Sequence, residues 1–496
     1  MLLDVDHYDN KIDFSYYDKE GNTKIKSYTI DKCNSWQVAT DKDKRVHPTV
    51  LNWDGRRVKS VPTQRLGKFE IMEFVENLPK EDSAEIFSDD LPKIYFMDIE
   101  VQILDGFPTA EKADSPITAI CLISPNRHCI VLALQDLTLK QQSNIQIDLD
   151  EYFKDTGLKF TFTYKVFKSE YDLLYTFLDK FVKKIPIMTG WNIIKYDWLY
   201  LYNRAKKLNI DPAISSPAKK LSYGNNFPVH VGIIDYMDLY KEWDRSVSIK
   251  ENFSLDAAAE AVLGTKKIKY NGTLQDLYEN DFQKYIYYNI VDTALVYLIH
   301  NKLKTMNIAL SLANLCKSSV YKASSPVFIT EGLFFREVYK NDKVIAKDWN
   351  APSNSNEDTQ YAGAFVKEPI IGLHKAIACF DFASLYPSIM RQFNISPESF
   401  LCKVDPDWDK LKPAVLKSLT KGEKIVSRQT KEEKDKILDS HQEDKIVSVT
   451  GTVFSSKESV FKVILTRLYS ERKLYKKKYF DYKMLAAEVE EKIKSL

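Results

Sequence analysis

The sequence has no CxxC pair, no apolar run long enough to cross a bilayer and almost no net charge, and each absence removes a class of protein. Its six cysteines (Cys33, Cys121, Cys129, Cys316, Cys379, Cys402) are scattered over 496 residues, which argues against a zinc or disulfide framework and for reduced core thiols. No apolar stretch approaches the roughly 20 residues of a spanning helix. Met1-Leu2-Leu3-Asp4-Val5-Asp6 lacks the basic start of a signal peptide. A cytoplasmic protein without a membrane partner is the expectation. With 71 basic and 69 acidic side chains the net charge is only +2, so any attraction for nucleic acid must come from local segregation of charge. The composition, 44% hydrophobic and 28% charged, is that of a soluble globular protein. Its length exceeds what one core can fill, and roughly two to four domains follow.

What is present centres on a strand. Ile94-Tyr95-Phe96-Met97-Asp98-Ile99-Glu100-Val101 is apolar except for two acids near its far end. Side chains alternate along a strand, so Ile94, Phe96, Asp98 and Glu100 share one side and Tyr95, Met97, Ile99 and Val101 the other. A strand apolar on both sides belongs inside a covered sheet, where two neighbouring acids require compensating charge. Residues 117–123 and 129–134 flank a Ser-Pro-Asn-Arg-His turn and predict two more strands. Tyr171, Leu174, Phe177, Leu178 and Phe181 then recur at helical spacing, before the chain resumes as Ile185-Pro186-Ile187-Met188-Thr189-Gly190-Trp191-Asn192. Strands followed by helix and strand make an α/β domain. Ahead of it, Ile12, Phe14 and Tyr16 alternate with polar residues, and a turn at Gly21-Asn22 leads to a second run from Lys24 to Ile30, which together predict a hairpin. Arg56-Arg57-Val58-Lys59 reads as a solvated charge cluster more readily than as phosphate contacts.

Two further acids sit at the starts and faces of helices. Asp197 opens the helical pattern from Trp198 to Lys206, either as an N-cap or as part of a site. Between Asp281 and His300 the residues Tyr285, Tyr288, Asp292, Leu295, Val296 and Ile299 fall on one helical face. A lone carboxylate on such a face costs several kcal/mol unless paired or metal-bound.

The strings Phe96-Met97-Asp98-Ile99-Glu100, Thr189-Gly190-Trp191-Asn192 with Asp197 five residues later, and Tyr288-Asn289-Ile290-Val291-Asp292 resemble the three motifs of the DnaQ-like 3′–5′ exonucleases. The resemblance implies an RNase H-like domain and a two-metal hydrolysis of DNA. Two hard cations, Mg²⁺ or Mn²⁺, roughly 3.5–4 Å apart hold the attacking and leaving oxygens in line, and such ions want oxygen ligands. By resemblance Asp98 would bridge both ions, Glu100 and Asp292 would complete the nucleophile-side ion, and Asp197 would hold the second. Tyr288 would orient the attacking water, Asn192 would touch substrate, Phe107 in Asp105-Gly106-Phe107-Pro108 would stack on an unpaired base, and Lys267 would face the scissile phosphate. The last two details resemble the exonuclease of the family B DNA polymerases of tailed, T-even-like bacteriophages.

The resemblance continues downstream. An apolar strand predicted over Ala376 to Phe380 delivers Asp381-Phe382-Ala383-Ser384-Leu385-Tyr386-Pro387-Ser388-Ile389, preceded by Tyr361-Ala362-Gly363. A strand carrying an acid into a turn that starts a helix suits a metal-bound triphosphate. This string looks like motif A of family B polymerases. Asp381 would bind polymerase-site metals, Ser384 and Leu385 would contact the triphosphate of an incoming dNTP, and Tyr386 would exclude a ribose. Residues 403–458 read as surface helices and loops. Arg472 and Lys476, four apart on a helix running from Val463, resemble the fingers cations that grip the triphosphate. The sequence contains neither a following Lys-x-x-x-Asn-Ser-x-Tyr-Gly nor an Asp-Thr-Asp.

The resulting expectation is an α/β multidomain chain. It comprises an N-terminal strand-rich domain over 1–92 (completed by 305–352), an exonuclease domain over 93–304, a partial palm over 353–458 and a first fingers helix over 459–496. Its function would be that of the N-terminal portion of a replicative polymerase with a complete exonuclease. DNA, dNTP, a second polypeptide carrying the C-terminal half and, through that half, a sliding clamp would be its partners, in an infected bacterial cell if phage-encoded. A stand-alone exonuclease with a vestigial palm, or a non-catalytic nucleic-acid-binding subunit, are the alternatives.

Overall fold

The structure is a computed structural model. It describes residues 1–8, 10–30, 33–63, 66–103, 106, 108–222, 224, 226–243, 252–269, 272–322, 325–347, 367–403, 431–440, 444–448 and 451–495. The chain divides into two compact units, one of residues 1–33 with 64–332, the other of 34–63 with 333–496. Among the described residues no helix is long and apolar enough to cross a membrane.

The first unit opens with an antiparallel sheet of β1 (Leu2–Tyr8), β2 (Lys11–Tyr17) and β3 (Thr23–Thr29). The hairpin expected from Ile12, Phe14 and Tyr16 is β2–β3, and β1 was not singled out because its apolar/polar alternation covers only Leu3 to Asp6, with a register irregularity between Leu2 and Asp4. The apolar side of this sheet closes on α1 (Lys68–Glu76) and α2 (Lys80–Ile86) through Phe14, Val75 and Ile86. Strands β4 (Cys33–Val38), β5 (Leu51–Asn52) and β6 (Val58–Thr63) fall almost wholly in the second unit.

The larger part of the first unit is a six-stranded sheet. Its strands are β7 (Ile94–Val101), β8 (Ile117–Ile123), β9 (His128–Ala133), β10 (Thr161–Val166), β11 (Ile187–Gly190) and β12 (Gly232–Asp235), in the order β10-β9-β8-β7-β11-β12. β7, β8 and β9 form an antiparallel meander, while β10, β11 and β12 add in parallel. The expected alternation of β7 is realised on both faces. Ile94 and Phe96 join one core with α3 (Leu139–Tyr152), whereas Met97, Ile99 and Val101 join a second core with α4 (Glu170–Thr176) and α5 (Asp197–Lys207). The helical run predicted through Phe181 holds, but after α4 it widens into a π-turn over Phe177–Phe181. Gly190 ends β11 where an added Cβ would lie 2.5 Å from the Met97 carbonyl oxygen, so this close strand approach excludes any side chain.

After β12 come α6 (Tyr236–Trp243), α7 (Leu255–Leu263) and α8 (Leu274–Asn280). α9 (Phe282–Leu303) then crosses the first core together with α10 (Thr305–Leu315). α9 confirms the helical face read from Tyr285 to Ile299, and fourteen of its residues are buried, Asp292 among them.

In the second unit β4 pairs with β6, and β5 pairs in parallel with β13 (Lys343–Val344), which follows α11 (Pro326–Lys340). The strand expected over Ala376 to Phe380 is absent. These residues are coil, with Ala376 in a bend at φ +55° and Ile377 and Phe380 74% and 93% exposed, and among the described residues no strand pairs with them. α12 (Leu385–Gln392) follows as expected. The stretch read as surface helices and loops instead contributes to a small antiparallel sheet of β14 (Phe400–Lys403), β15 (Lys445–Val447) and β16 (Thr452–Ser455), with α13 (Lys431–Ser440) between. Strands of three and four residues are too short to stand out against the surrounding lysines and acids. α14 (Val460–Ser495) is the basic helix expected from Val463 onward.

Candidate active site

The sheet brings the four sequence-selected acids of the first unit to one place. Asp98 and Glu100 lie at the carboxyl end of β7, Asp197 is the first residue of α5, and Asp292 lies in the middle of α9. Glu100, Asp197 and Asp292 are 8%, 3% and 5% exposed, and Asp98 retains a half-buried surface at the mouth. Burial pushes the Asp98 carboxyl well up from the usual range, and the charges of Asp197, Glu100 and Asp292 push it further. Glu100 is raised by burial and then by Asp292 and Asp197. Asp197 is pushed up to about 7, first by burial and less by Asp235. These mutual effects place the four acids within one another's fields.

Each acid has a specific support. The Ile99 N–H donates to Asp197 Oδ1 at 3.3 Å, so the first residue of α5 is fastened to the strand between Asp98 and Glu100. Asp197 is therefore inside the helix rather than its N-cap, which is Tyr196. Asn289 Nδ2 donates to Asp98 Oδ2 at 3.0 Å and its side chain also bonds Glu100. Lys267 Nζ forms an ion pair with Asp292 and lies 3.3 Å from the Tyr288 hydroxyl, above whose ring it sits at 5.5 Å. Burial opposes the ammonium, but Asp292, Asp98 and Glu100 together hold its pKa above the ordinary lysine value. Burial raises Asp292, with Lys267 and Tyr288 acting against it.

Asn192, at φ +67°, closes the loop between β11 and α5: its carbonyl accepts from the Tyr196 N–H at 3.0 Å. That loop hangs on Asp235, a buried acid that sequence reasoning missed. Asp235 accepts the N–H groups of Asn192, Ile194 and Met237 at 3.1, 3.2 and 2.9 Å, and burial pushes it to about 6. Asn289 was missed also, although its position three residues before Asp292 puts it on the same helical face. Asp105, Phe107, Tyr270 and the stretch 361–366 lie outside the described residues.

Hard carboxylate oxygens are the right donors for a divalent cation. Asp292 Oδ1 and Asn289 Oδ1 are buried without a hydrogen-bond partner, which leaves oxygen atoms to spare. As the side chains stand, with Lys267 on Asp292, no three acidic, histidine or cysteine side chains among the described residues converge as a metal-binding group.

In the second unit the candidates are less assembled. Ser384 precedes α12 with φ +53° and its Oγ accepts from Arg472 Nη1 at 3.3 Å, so α12 and α14 meet there. Asp381, Leu385 and Tyr386 are exposed. Lys476 Nζ lies 5.9 Å from the Phe480 ring centre rather than beside Ser384.

Two family models match. One, described as the exonuclease domain of DNA polymerase family B, covers residues 15–258, and the other, described as DNA polymerase family B, covers 318–488. Asp98, Glu100 and Asp197 fall in the first match and Asp381 in the second, while Lys267 and Asp292 lie between them. The chain is 33% identical over 327 residues to a DNA-directed DNA polymerase of Escherichia phage RB69, a stretch that is 61% of this chain and 35% of that protein. It is 32% identical over 249 residues to the DNA-directed DNA polymerase of Enterobacteria phage T4, covering 48% and 27%. With DNA polymerase 1 of Saccharolobus solfataricus it shares 27% over 346 residues, covering 64% and 36%. The alignments thus span only about a third of the relatives' length. Both matches name one family: the chain belongs to family B of the DNA polymerases and carries its exonuclease domain together with part of its polymerase domain.

Proposed function

We propose that the first unit is a 3′–5′ exonuclease of RNase H-like fold that removes nucleotides from single-stranded DNA ends. The observation that carries this reading is the gathering of Asp98, Glu100, Asp197 and Asp292, all raised by burial, with Asp98 and Glu100 raised further by the charges of the others. Such acids gain by holding Mg²⁺ or Mn²⁺, which when bound activate the attacking water and stabilise the leaving oxygen. Asp98, Glu100, Asp197 and Asp292 would hold these ions, Asp98 in common to both, Glu100 and Asp292 with the one that activates the water and Asp197 with the other. Asn289 holds Asp98 and Glu100 at their spacing. The Tyr288 hydroxyl orients the water, since a phenol is mostly protonated near neutral pH. Lys267 leaves Asp292 for the scissile phosphate, exchanging one anionic partner for another. Phe107 stacks on an unpaired base and Asn192 borders the strand.

In the second unit Asp381 serves the metals of nucleotide addition. Ser384, Leu385, Arg472 and Lys476 face the triphosphate, and Tyr386 screens its sugar. The chain would thus comprise a 1–92 domain completed by 305–352, a 93–304 exonuclease, a partial palm over 353–458 and a first fingers helix over 459–496. No Asp-Thr-Asp follows Asp381 in the sequence. In-line transfer needs a second metal-binding carboxylate, which we assign to the C-terminal half of such a polymerase, whether carried on this polypeptide or on a second one, and with it the site for a sliding clamp. The test of the nuclease is Mn²⁺-dependent degradation of a labelled single-stranded oligonucleotide. Asp98→Ala should lower turnover by orders of magnitude in a protein that melts like the wild type, and degradation at the wild-type rate by that variant would refute the assignment.

A further inference from the structure

Helix α5 does more than supply Asp197. From Tyr196 through Lys207 it sends a stripe of side chains to the backbone of the loop between β7 and β8. The Tyr196 hydroxyl donates to the Pro108 carbonyl at 3.3 Å, and Asn203 Nδ2 donates to the Ala110 carbonyl at 2.9 Å. Arg204 Nη1 donates to the carbonyls of Ala113 and Asp114 at 3.2 and 3.0 Å, and the Tyr200 hydroxyl donates to the Ser115 carbonyl at 2.7 Å. Lys207 pairs with the Asp114 carboxylate. Positions 196, 200, 203, 204 and 207 recur at the spacing of one helical face. Pro108, Ala110, Ala113 and Ser115 are buried by this contact, whereas Thr109, Glu111, Lys112 and Asp114 face outward.

The two ends of the stripe differ. At the far end Arg204 also grips Glu170 with two nitrogens at 2.8 and 2.7 Å, and Glu170 accepts the Ile117 N–H at 2.7 Å, a buried clamp on β8 itself. At the near end the Tyr196 hydroxyl holds the Pro108 carbonyl, while Asn203, beside Arg204, holds that of Ala110. This end borders the acids: the Tyr196 phenol is pushed up by burial and Tyr200, and then by the charges of Asp197, Glu100 and Asp98. The loop leaves β7 directly beyond Glu100, at the carboxyl end of the strand, and Pro108 follows the position proposed above to meet an unpaired base.

We propose that Tyr196 and Asn203 are positioning residues that shape the 108–115 loop into a seat for the single-stranded 3′ end of DNA, setting how tightly the strand is held rather than how fast the bond is cut. This deepens the nuclease reading and rests on it. Side chains of one helix fix carbonyls that no strand ladder fixes, alongside the loop's own bond from the Ala113 N–H to the Thr109 carbonyl, so the loop loosens where those donors are lost. The acids are fastened separately, through Ile99 and Asn289. Loss of a loop anchor should therefore reach the substrate without reaching the chemistry.

The experiment uses the full chain with Tyr196→Phe, Asn203→Ala and the pair combined. Affinity for a fluorescein-labelled single-stranded oligodeoxythymidylate is read by anisotropy in EDTA, and kcat is read in Mn²⁺. Each single variant should weaken binding about three- to ten-fold, the scale of one hydrogen bond, with kcat within about two-fold of the wild type and the melting temperature unchanged. Unaltered affinity in both single variants would overturn the proposal, as would a fall in kcat at unaltered affinity or an affinity loss matched by lost thermal stability. A wild-type chain that does not bind the oligonucleotide would overturn it too. The binding arm needs no catalysis, so persistent degradation by Asp98→Ala would refute the nuclease reading while the EDTA measurements still judged the seat.

Discussion

Replacing Asp197 by asparagine should stabilise the metal-free protein above neutral pH while removing its nuclease activity. The Asp197 carboxyl is raised from 3.8 to about 7 in the fold, mainly by burial. Between those values the folded state holds a proton that the unfolded chain has released, so stability falls as pH rises through this window. About three units at 1.36 kcal/mol each amount to ~4 kcal/mol, absent near pH 4 and complete above pH 7. Asparagine keeps an oxygen for the Ile99 N–H and has no charge to desolvate. The difference between variant and wild type should therefore grow with pH by up to about 1.4 kcal/mol per unit and level off beyond pH 7. Chemical denaturation in EDTA at pH 5, 6, 7 and 8, followed by the fluorescence of Trp191 and Trp198 in this unit, measures it. Adding Mn²⁺ should reverse the order, because an ion bound only by the folded wild type stabilises it in proportion to its occupancy. Parallel pH profiles, or an asparagine variant less stable than wild type at pH 8 in EDTA, would refute the reasoning.

Arg204→Met should cost about 3–5 kcal/mol in the same denaturation assay, because it strands Glu170 in a pair whose side chains are 13% and 10% exposed. Single strands and frayed 3′ ends should bind better than blunt duplex, with affinity falling as salt rises, and filter binding at two salt concentrations decides it. Primer extension should be negligible with this chain alone and appear on adding a polypeptide that carries Asp-Thr-Asp, with Asp381→Ala abolishing it; robust extension by the chain alone would refute the need for that carboxylate.

The parts of the fold legible in the sequence were those with a strong period and a covered face. β7 was read at its observed bounds because a short run apolar on both sides fits a strand inside a covered sheet and little else, and α9 because its period persists over about four turns, from Tyr285 to Ile299. Asp98, Glu100 and Asp292 stood out because they interrupt such patterns and Asp197 because it opens one, and their joint spacing carried the resemblance. Asn289 and Asp235 escaped for the opposite reason. An asparagine within a helix and an acid at a strand end are ordinary in sequence, and only the paths of β11, β12 and α9 bring their polar atoms to Asp98 and to the Asn192 loop. The strand expected before Asp381 failed because an apolar run supplies faces but not a partner. Among the described residues no neighbouring strand takes its N–H and C=O groups, and the segment is coil.

The charge distribution around β7 follows from its place between two cores. Four carboxylates stand in one field, and Lys267 is the cation bonded to them, engaging Asp292 alone. Asp98 and Glu100 share the neutral amide of Asn289, and Asp197 has the Ile99 N–H. An amide orients a carboxylate without cancelling its charge, which is why burial and mutual repulsion still dominate at Asp98 and Glu100. Such an arrangement is unfavourable by itself and is held by packing: Phe96 on one side of the strand, Met97 and Ile99 on the other, each at most 5% exposed. Rigid walls keep the acids from swinging apart into water. The stability spent in enforcing their closeness is free energy that a divalent cation would recover if it bound as proposed, so the hydrophobic faces of β7 and the raised carboxyls it carries are two consequences of one buried strand.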